Sequence, residues 1–144
     1  MSAAEEHFSA LLHSTARAWR LAVDRRLRDL GVSQAGWLAI AMVARTPVPL
    51  SQIELAQRVG VEGASMVTML DRLAREGLVV RVPSAADRRV KHIELTAAGH
   101  ALYGKVRTQA DAVRRELLRD VDPAKLKVAT EVLEILHGLL EAKP

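Results

Sequence analysis

With 144 residues the chain has room for one domain or two closely joined parts, and a hydrophobic content of 49% is enough for a core. Aromatic residues are only 3%, so that core must be aliphatic, a composition that suits helices packed lengthwise. The net charge is +4, the lack of cysteine excludes disulfides, cysteine-ligated zinc and thiol redox sensing, and no apolar run approaches the ~18 residues of a membrane helix.

The first residues, Met1-Ser2-Ala3-Ala4-Glu5-Glu6, are acidic and lack a basic-then-apolar signal pattern, so a cytoplasmic location is expected. From about Glu5 to Leu30, the positions Leu11, Leu12, Trp19, Val23, Leu27 and Leu30 recur at helical spacing and predict one long helix that Gly31 stops. Ser33 caps a second helix through Trp37, Ile40 and Val43, bounded by Pro47 and Pro49. Ser51-Gln52-Ile53-Glu54 reads as a capping box that starts a third helix, with Ile53, Leu55, Ala56 and Val59 as its apolar face.

Gly60 allows a sharp turn into a fourth helix beginning near Glu62 or Gly63. Met66, Val67, Leu70 and Leu73 are its expected buried face, which leaves Gly63, Ala64, Ser65, Thr68, Met69 and Arg72 outward; Gly77 ends it. Leu78–Val82 and Val90–Leu95 are β-rich and flank a polar tip opened by Pro83, a hairpin with a long loop. Thr96 caps a fifth helix striped by Leu102, Val106, Ala110, Val113 and Leu117. Asp122-Pro123 starts a sixth, whose Leu126, Ala129, Leu133, Leu136 and Leu140 repeat three-four-three-four like a coiled-coil seam.

Helix, tight turn, helix, strand, basic tip, strand is the order of a winged helix-turn-helix, which most often sets one helix in the DNA major groove with a basic loop beside it. The charge agrees. From Arg72 to Lys91 there are six basic residues (Arg72, Arg75, Arg81, Arg88, Arg89, Lys91) against two acids (Glu76, Asp87), a local excess equal to that of the whole chain. Positive charge concentrated on one motif points to a polyanion partner. The fold class expected is mainly α with a small β-hairpin wing, divided as an N-terminal dimerisation helix (residues 1–32), a winged DNA-binding domain (33–96) and C-terminal dimerisation helices (97–144). The apolar stripes of the first, fifth and sixth helices exceed what a winged domain needs for cover, and a second copy of the chain is the simplest outlet. A symmetric dimer also places two recognition helices about one DNA turn (~34 Å) apart, as palindromic operators require.

Trp19-Arg20 with Asp24 and Arg26-Leu27, then Gln34 and Trp37, then SQIELAQRVGVEGASMV, LDRLAREGL and DRRVKHIELT, form an ordered set that resembles the multiple antibiotic resistance regulator (MarR) family, most closely its SlyA-like branch. The family's wing signature, Asp-x-Arg followed by a strand ending Leu-Thr, falls on Asp87, Arg89, Leu95 and Thr96. The resemblance implies a homodimer, triangular in outline, that joins through its first, fifth and sixth helices. It implies palindromic promoter DNA as partner, a repressor role, and release by a small anionic or aromatic effector. No cofactor is expected.

On this pattern Arg88 and Arg89 are the foremost DNA contacts, one of them entering the minor groove, with Asp87 pairing to an arginine to shape the wing and Lys91 adding charge. Ser65 and Thr68 offer hydroxyls to phosphates or base edges, Met69 lies beside them, and Arg72 grips phosphate. Thr68 departs from relatives that carry a guanine-reading arginine there, so a different preferred base is expected at that position. For an effector the resemblance points to Arg17 and Trp37, whose guanidinium and indole can hold an aromatic carboxylate, with Met42 on an apolar wall. Ser14 and Gly36 depart from the larger polar or basic groups of relatives. The five histidines are scattered without the i,i+4 spacing of a helical zinc site, so no metal is expected, and no phosphate loop or nucleophile motif points to an enzyme. The alternative is a winged-helix module that binds protein rather than DNA, to which Ala64 and Met69 lend an apolar opening and against which Arg88 and Arg89 argue.

Overall fold

A computed structural model describes residues 2–142 of the chain; the side chain of Gln34, quoted above, lies outside the described set. The molecule divides into two compact units, Met1–Asp111 and Ala112–Pro144, so the break falls inside the fifth helix.

In the first unit, helix α1 runs Ala3–Leu27 and tightens into one 3-10 turn, Arg28–Leu30, before Gly31 turns left-handed at φ 71°. A reciprocal capping box that the pattern reading missed fixes its start: Ser2 Oγ accepts from the Glu5 amide at 3.2 Å, and Glu5 Oε2 accepts from the Ser2 amide at 2.7 Å. The backbone amide of Ser2 is the main reason the Glu5 carboxyl sits below the usual carboxylate range. Helix α2 spans Gln34–Arg45 and starts where Ser33 Oγ accepts from the Gly36 amide at 3.2 Å.

A two-residue strand not foreseen from sequence, β1 (Leu50–Ser51), precedes helix α3 (Gln52–Val59). Ser51 Oγ accepts from the Glu54 amide at 3.2 Å, the expected cap, and Gly60 at φ 80° ends the helix. Helix α4 (Gly63–Arg75) follows, then β2 (Val79–Pro83) and β3 (Lys91–Leu95), antiparallel in the order β1-β3-β2. Both hairpin strands start one residue later than expected. Ile93 sits centrally, opposite Leu50 on one side and Arg81 on the other.

Ile40, Leu50, Leu55, Met66, Leu70 and Ile93 form the heart of the core, drawn from α2, β1, α3, α4 and β3. Two expected faces are corrected. On α3, Leu55 and Ala56 are buried with Val59 half-buried, while Ile53 is 71% exposed, because it lies about half a turn from Leu55. On α4 the inward stripe is Met66, Met69, Leu70 and Leu73, the i, i+3, i+4, i+7 pattern. Met69, expected to face outward, is half-buried against the core, and Val67, expected inside, is exposed.

Helix α5 (Ala97–Leu118) is anchored at its start: Thr96 Oγ1 accepts from the Gly99 amide at 3.0 Å and donates to the Gly77 carbonyl at 2.6 Å. Leu102 and Tyr103 pack against the core and Val106 is buried. Along α1, Val23 and Leu27 are buried, but Phe8, Leu11, Leu12 and Leu21 are exposed.

The second unit holds the end of α5 and helix α6 (Pro123–Glu141), whose first turn is capped by Asp122 Oδ1 accepting from the Ala124 amide at 2.9 Å. Of the seam expected on α6, Leu126 and Leu136 are half-buried, while Leu133 and Leu140 are exposed, as are Val128, Ile135 and Leu139. Among the described residues no helix is long and apolar enough to cross a membrane.

Candidate nucleic-acid interface

Ser65, Thr68 and Arg72 all lie exposed on α4. No side chain caps the helix at its N-cap residue, Glu62, so the first-turn amides keep their hydrogen-bonding capacity for another acceptor. Thr68 Oγ1 donates back to the Ala64 carbonyl at 3.2 Å, which leaves its oxygen lone pairs and methyl group facing out. Arg72 Nε donates to Glu76 Oε1 at 3.1 Å, an exposed i,i+4 pair that a phosphate can displace. Met69 belongs to the core side of the helix, as described above.

The wing tip is built from its own hydrogen bonds. The Ser84 amide donates to the Val90 carbonyl at 2.8 Å, and the Val90 amide donates to the Asp87 carbonyl at 3.0 Å. Ser84, buried and unflagged by the sequence, accepts at Oγ from the Ala86 amide at 3.3 Å. Asp87 Oδ1 accepts from the Arg89 amide at 3.0 Å and from Arg89 Nε at 3.2 Å, and Oδ2 accepts from Nη2 at 3.4 Å. The Arg89 guanidinium, followed by its backbone amide, holds the Asp87 carboxyl below its usual range. The side chain of Arg89 is nevertheless 91% exposed, so this pairing aims it without covering it. Arg88 and Lys91 are exposed and have no acidic partner among the described residues.

Half of the six cations in the charged window therefore stand in ion pairs: Arg72 with Glu76, Arg81 with Asp71, and Arg89 with Asp87. Asp71 pairs with Arg81, ten positions along the chain, rather than with its sequence neighbour Arg72. Sequence proximity gave no sign of that bond, because it closes only when the hairpin folds back on α4.

Arg17 lies on an exposed face of α1 beside Leu12, His13, Ala16, Arg20 and Leu21, which border an open depression. Trp37 and Met42 pack against the core of the first unit, and the Trp37 Nε1 is buried with no hydrogen-bond partner among the described residues. A cavity of about 330 Å³ has Val43, Pro47, Val48, Leu95, Glu94 and His100 among its walls. Among the described residues no group of three His, Cys, Asp or Glu side chains could hold a metal.

The MarR-family profile matches residues 30–90, from the end of the 3-10 turn through α2, α3, α4 and β2 to the wing. The solved structure of transcriptional regulator PA3341 is 42% identical with a TM-score of 0.86, over 94% of this chain and 99% of that one. The chain belongs to the MarR family. Apo wild-type MarR from E. coli shares the fold at 21% identity and a TM-score of 0.79, over 89% of this chain and 95% of its own. CouR from Rhodococcus jostii RHA1, solved with p-coumaroyl-CoA, does so at 21% identity and a TM-score of 0.78, over 94% and 95%. MarR-family proteins are transcriptional regulators rather than enzymes, and α3, α4 and the β2–β3 hairpin of this chain form the winged helix of that fold.

Proposed function

We propose that this MarR-family protein is a homodimeric, sequence-specific DNA-binding regulator of the SlyA-like kind, a cytoplasmic repressor that binds palindromic promoter DNA and releases it on binding a small aromatic or anionic ligand. The observation that carries the reading is the wing tip, where Asp87 aims the exposed Arg89 and the residue before it, Arg88, has no acidic partner among the described residues. Ser65, Thr68 and Arg72 on α4 read the major groove, and Arg88, Arg89 and Lys91 bind the flank. Met69 supports α4 from behind.

Dimerisation through residues 1–32 and 97–144 is supported by the exposed Phe8, Leu11 and Leu12 on α1 and Ile135, Leu139 and Leu140 on α6, apolar surface that a second copy would cover. Effector binding is supported by the buried indole N–H of Trp37, which has no acceptor among the described residues, since a buried donor without an acceptor costs about 1–3 kcal/mol that a ligand oxygen can recover. Arg17 supplies the charge for an anion, and Met42 an apolar neighbour. CouR, a protein of this fold, was solved with p-coumaroyl-CoA, an aromatic acyl thioester whose charge lies on the phosphates of the coenzyme.

The test is fluorescence anisotropy of the purified protein on duplexes tiled across its own upstream intergenic DNA, with sedimentation velocity for subunit number and a panel of aromatic acids as competitors. The expected result is a dimer that binds one tile tightly and is displaced by at least one acid. A monomer indifferent to every duplex at low ionic strength refutes the proposal.

A further inference from the structure

Arg81 lies on β2, two residues before Pro83 opens the wing loop, and its strand position faces inward beside the buried Ile93. Its side chain is 27% exposed, so the guanidinium lies largely against the protein rather than out in solvent. Nη2 donates to Asp71 Oδ1 at 2.7 Å and to the Val67 carbonyl at 3.5 Å, and Nε donates to Gln52 Oε1 at 3.4 Å. One guanidinium thus ties the wing strand to the first residue of α3 and to two successive turns of α4. Val67 and Asp71 directly precede Thr68 and Arg72, the side chains proposed to read DNA, so the tie grips the helix along its reading segment.

The fork of an arginine is suited to such a role, because its planar donors fix direction as well as distance. A wing joined to α4 by the strand connection alone can tilt about Gly77, and a tilt carries the tip, seven residues beyond Arg81 at Arg88, through a larger arc. We infer that Arg81 is a positioning residue: through Asp71, Val67 and Gln52 it locks the wing to the recognition helix, so that major-groove and flank contacts engage at one fixed spacing and discrimination between DNA sequences depends on the lock. This inference rests on the DNA-binding reading above.

The experiment begins with selection of duplexes from a random pool by the wild-type protein. Binding of the selected duplex and of a shuffled duplex is then measured for wild type, Arg81→Gln, Arg81→Lys and Asp71→Asn, at about 50 and 200 mM salt. A lock predicts that Arg81→Gln reduces the ratio of selected to shuffled affinity about tenfold or more, with the salt slope unchanged. Asp71→Asn must lower the same ratio, although it removes a negative charge and would strengthen binding if Arg81 simply gripped phosphate. Arg81→Lys, which can reach Asp71 but has no fork for Gln52, is expected to fall between. A ratio preserved in both Arg81→Gln and Asp71→Asn, at a temperature where both are folded, overturns the lock while leaving DNA binding intact. A slope lowered by about one unit in Arg81→Gln overturns it in favour of a direct phosphate contact. If Arg81→Gln does not fold, the exposed Asp71→Asn decides alone. Failure of the wild type to select any sequence removes both this inference and the reading it rests on.

Discussion

Replacing Arg88 and Arg89 with alanine tests the wing most directly. Arg88 has no acidic partner among the described residues, so its whole charge is available to a phosphate. Arg89 is shared with Asp87, but the pair is so exposed that a phosphate exchanges for the carboxylate with little loss. Each arginine that neutralises a phosphate contributes about 0.9 to the slope of log affinity against log salt, so the double variant should lose about 1.8. Between about 50 and 200 mM salt, that difference in slope changes the gap between wild type and variant by about tenfold. The sign follows from counterion release: with fewer cations engaged, the variant loses less affinity as salt rises, so the gap is widest at low salt and narrows upward. Anisotropy titrations at several salt concentrations measure it, with sedimentation to confirm that the assembly state is unchanged. A gap of the same size at every salt concentration, or no gap, refutes the assignment of these side chains to the DNA backbone.

Gly99→Ala should destabilise the protein by about 1–3 kcal/mol, although helix propensity alone favours alanine by about 1 kcal/mol, because the added methyl would overlap the Leu78 carbonyl oxygen, a backbone atom that cannot swing aside. Thermal melting at fixed protein concentration checks this, and a raised midpoint contradicts it. Leu70→Ala removes a side chain with no exposed surface from the inward stripe of α4 and should cost about 2–5 kcal/mol in denaturant unfolding; a loss under about 1 kcal/mol would mean that the helix face is misassigned. The Asp87 carboxyl, held low chiefly by Arg89, should stay ionised into acid below the ordinary carboxylate range. Because its folded value is depressed, whatever it contributes is present above the unfolded value and is lost as pH falls through the folded one. An NMR titration should show that Arg89→Ala raises Asp87 toward the ordinary range, with the backbone amide of residue 89 still holding it somewhat below, and an unmoved titration contradicts the pairing.

Much of the architecture is legible along the chain because its signals act within a few residues. Ser33, Ser51 and Asp122 start helices by accepting from amides two or three residues on, and each does so in the structure. Gly31, Gly60 and Gly77 end or turn elements at φ 71°, 80° and 73°, a region closed to most side chains. The clustering of positive charge on the wing is likewise a local fact, and so is the order of elements that carried the family resemblance.

Only the tertiary structure decided which way some of those elements face and what joins them. The exchange of Met69 for Val67 on α4, and of Ile53 for solvent on α3, depends on where the neighbouring helices lie, which periodicity limits to an arc without choosing its centre. Strand β1 is two residues long and exists because β3 offers it an edge; nothing in Leu50-Ser51 marks it beforehand. Arg81 reaches a glutamine 29 positions away and an aspartate ten positions away, and Thr96 closes on the carbonyl of Gly77, 19 residues before it. Hydrogen bonds over such separations leave no period in the sequence, because the chain between them is free to vary; they become visible only when folding brings the ends together.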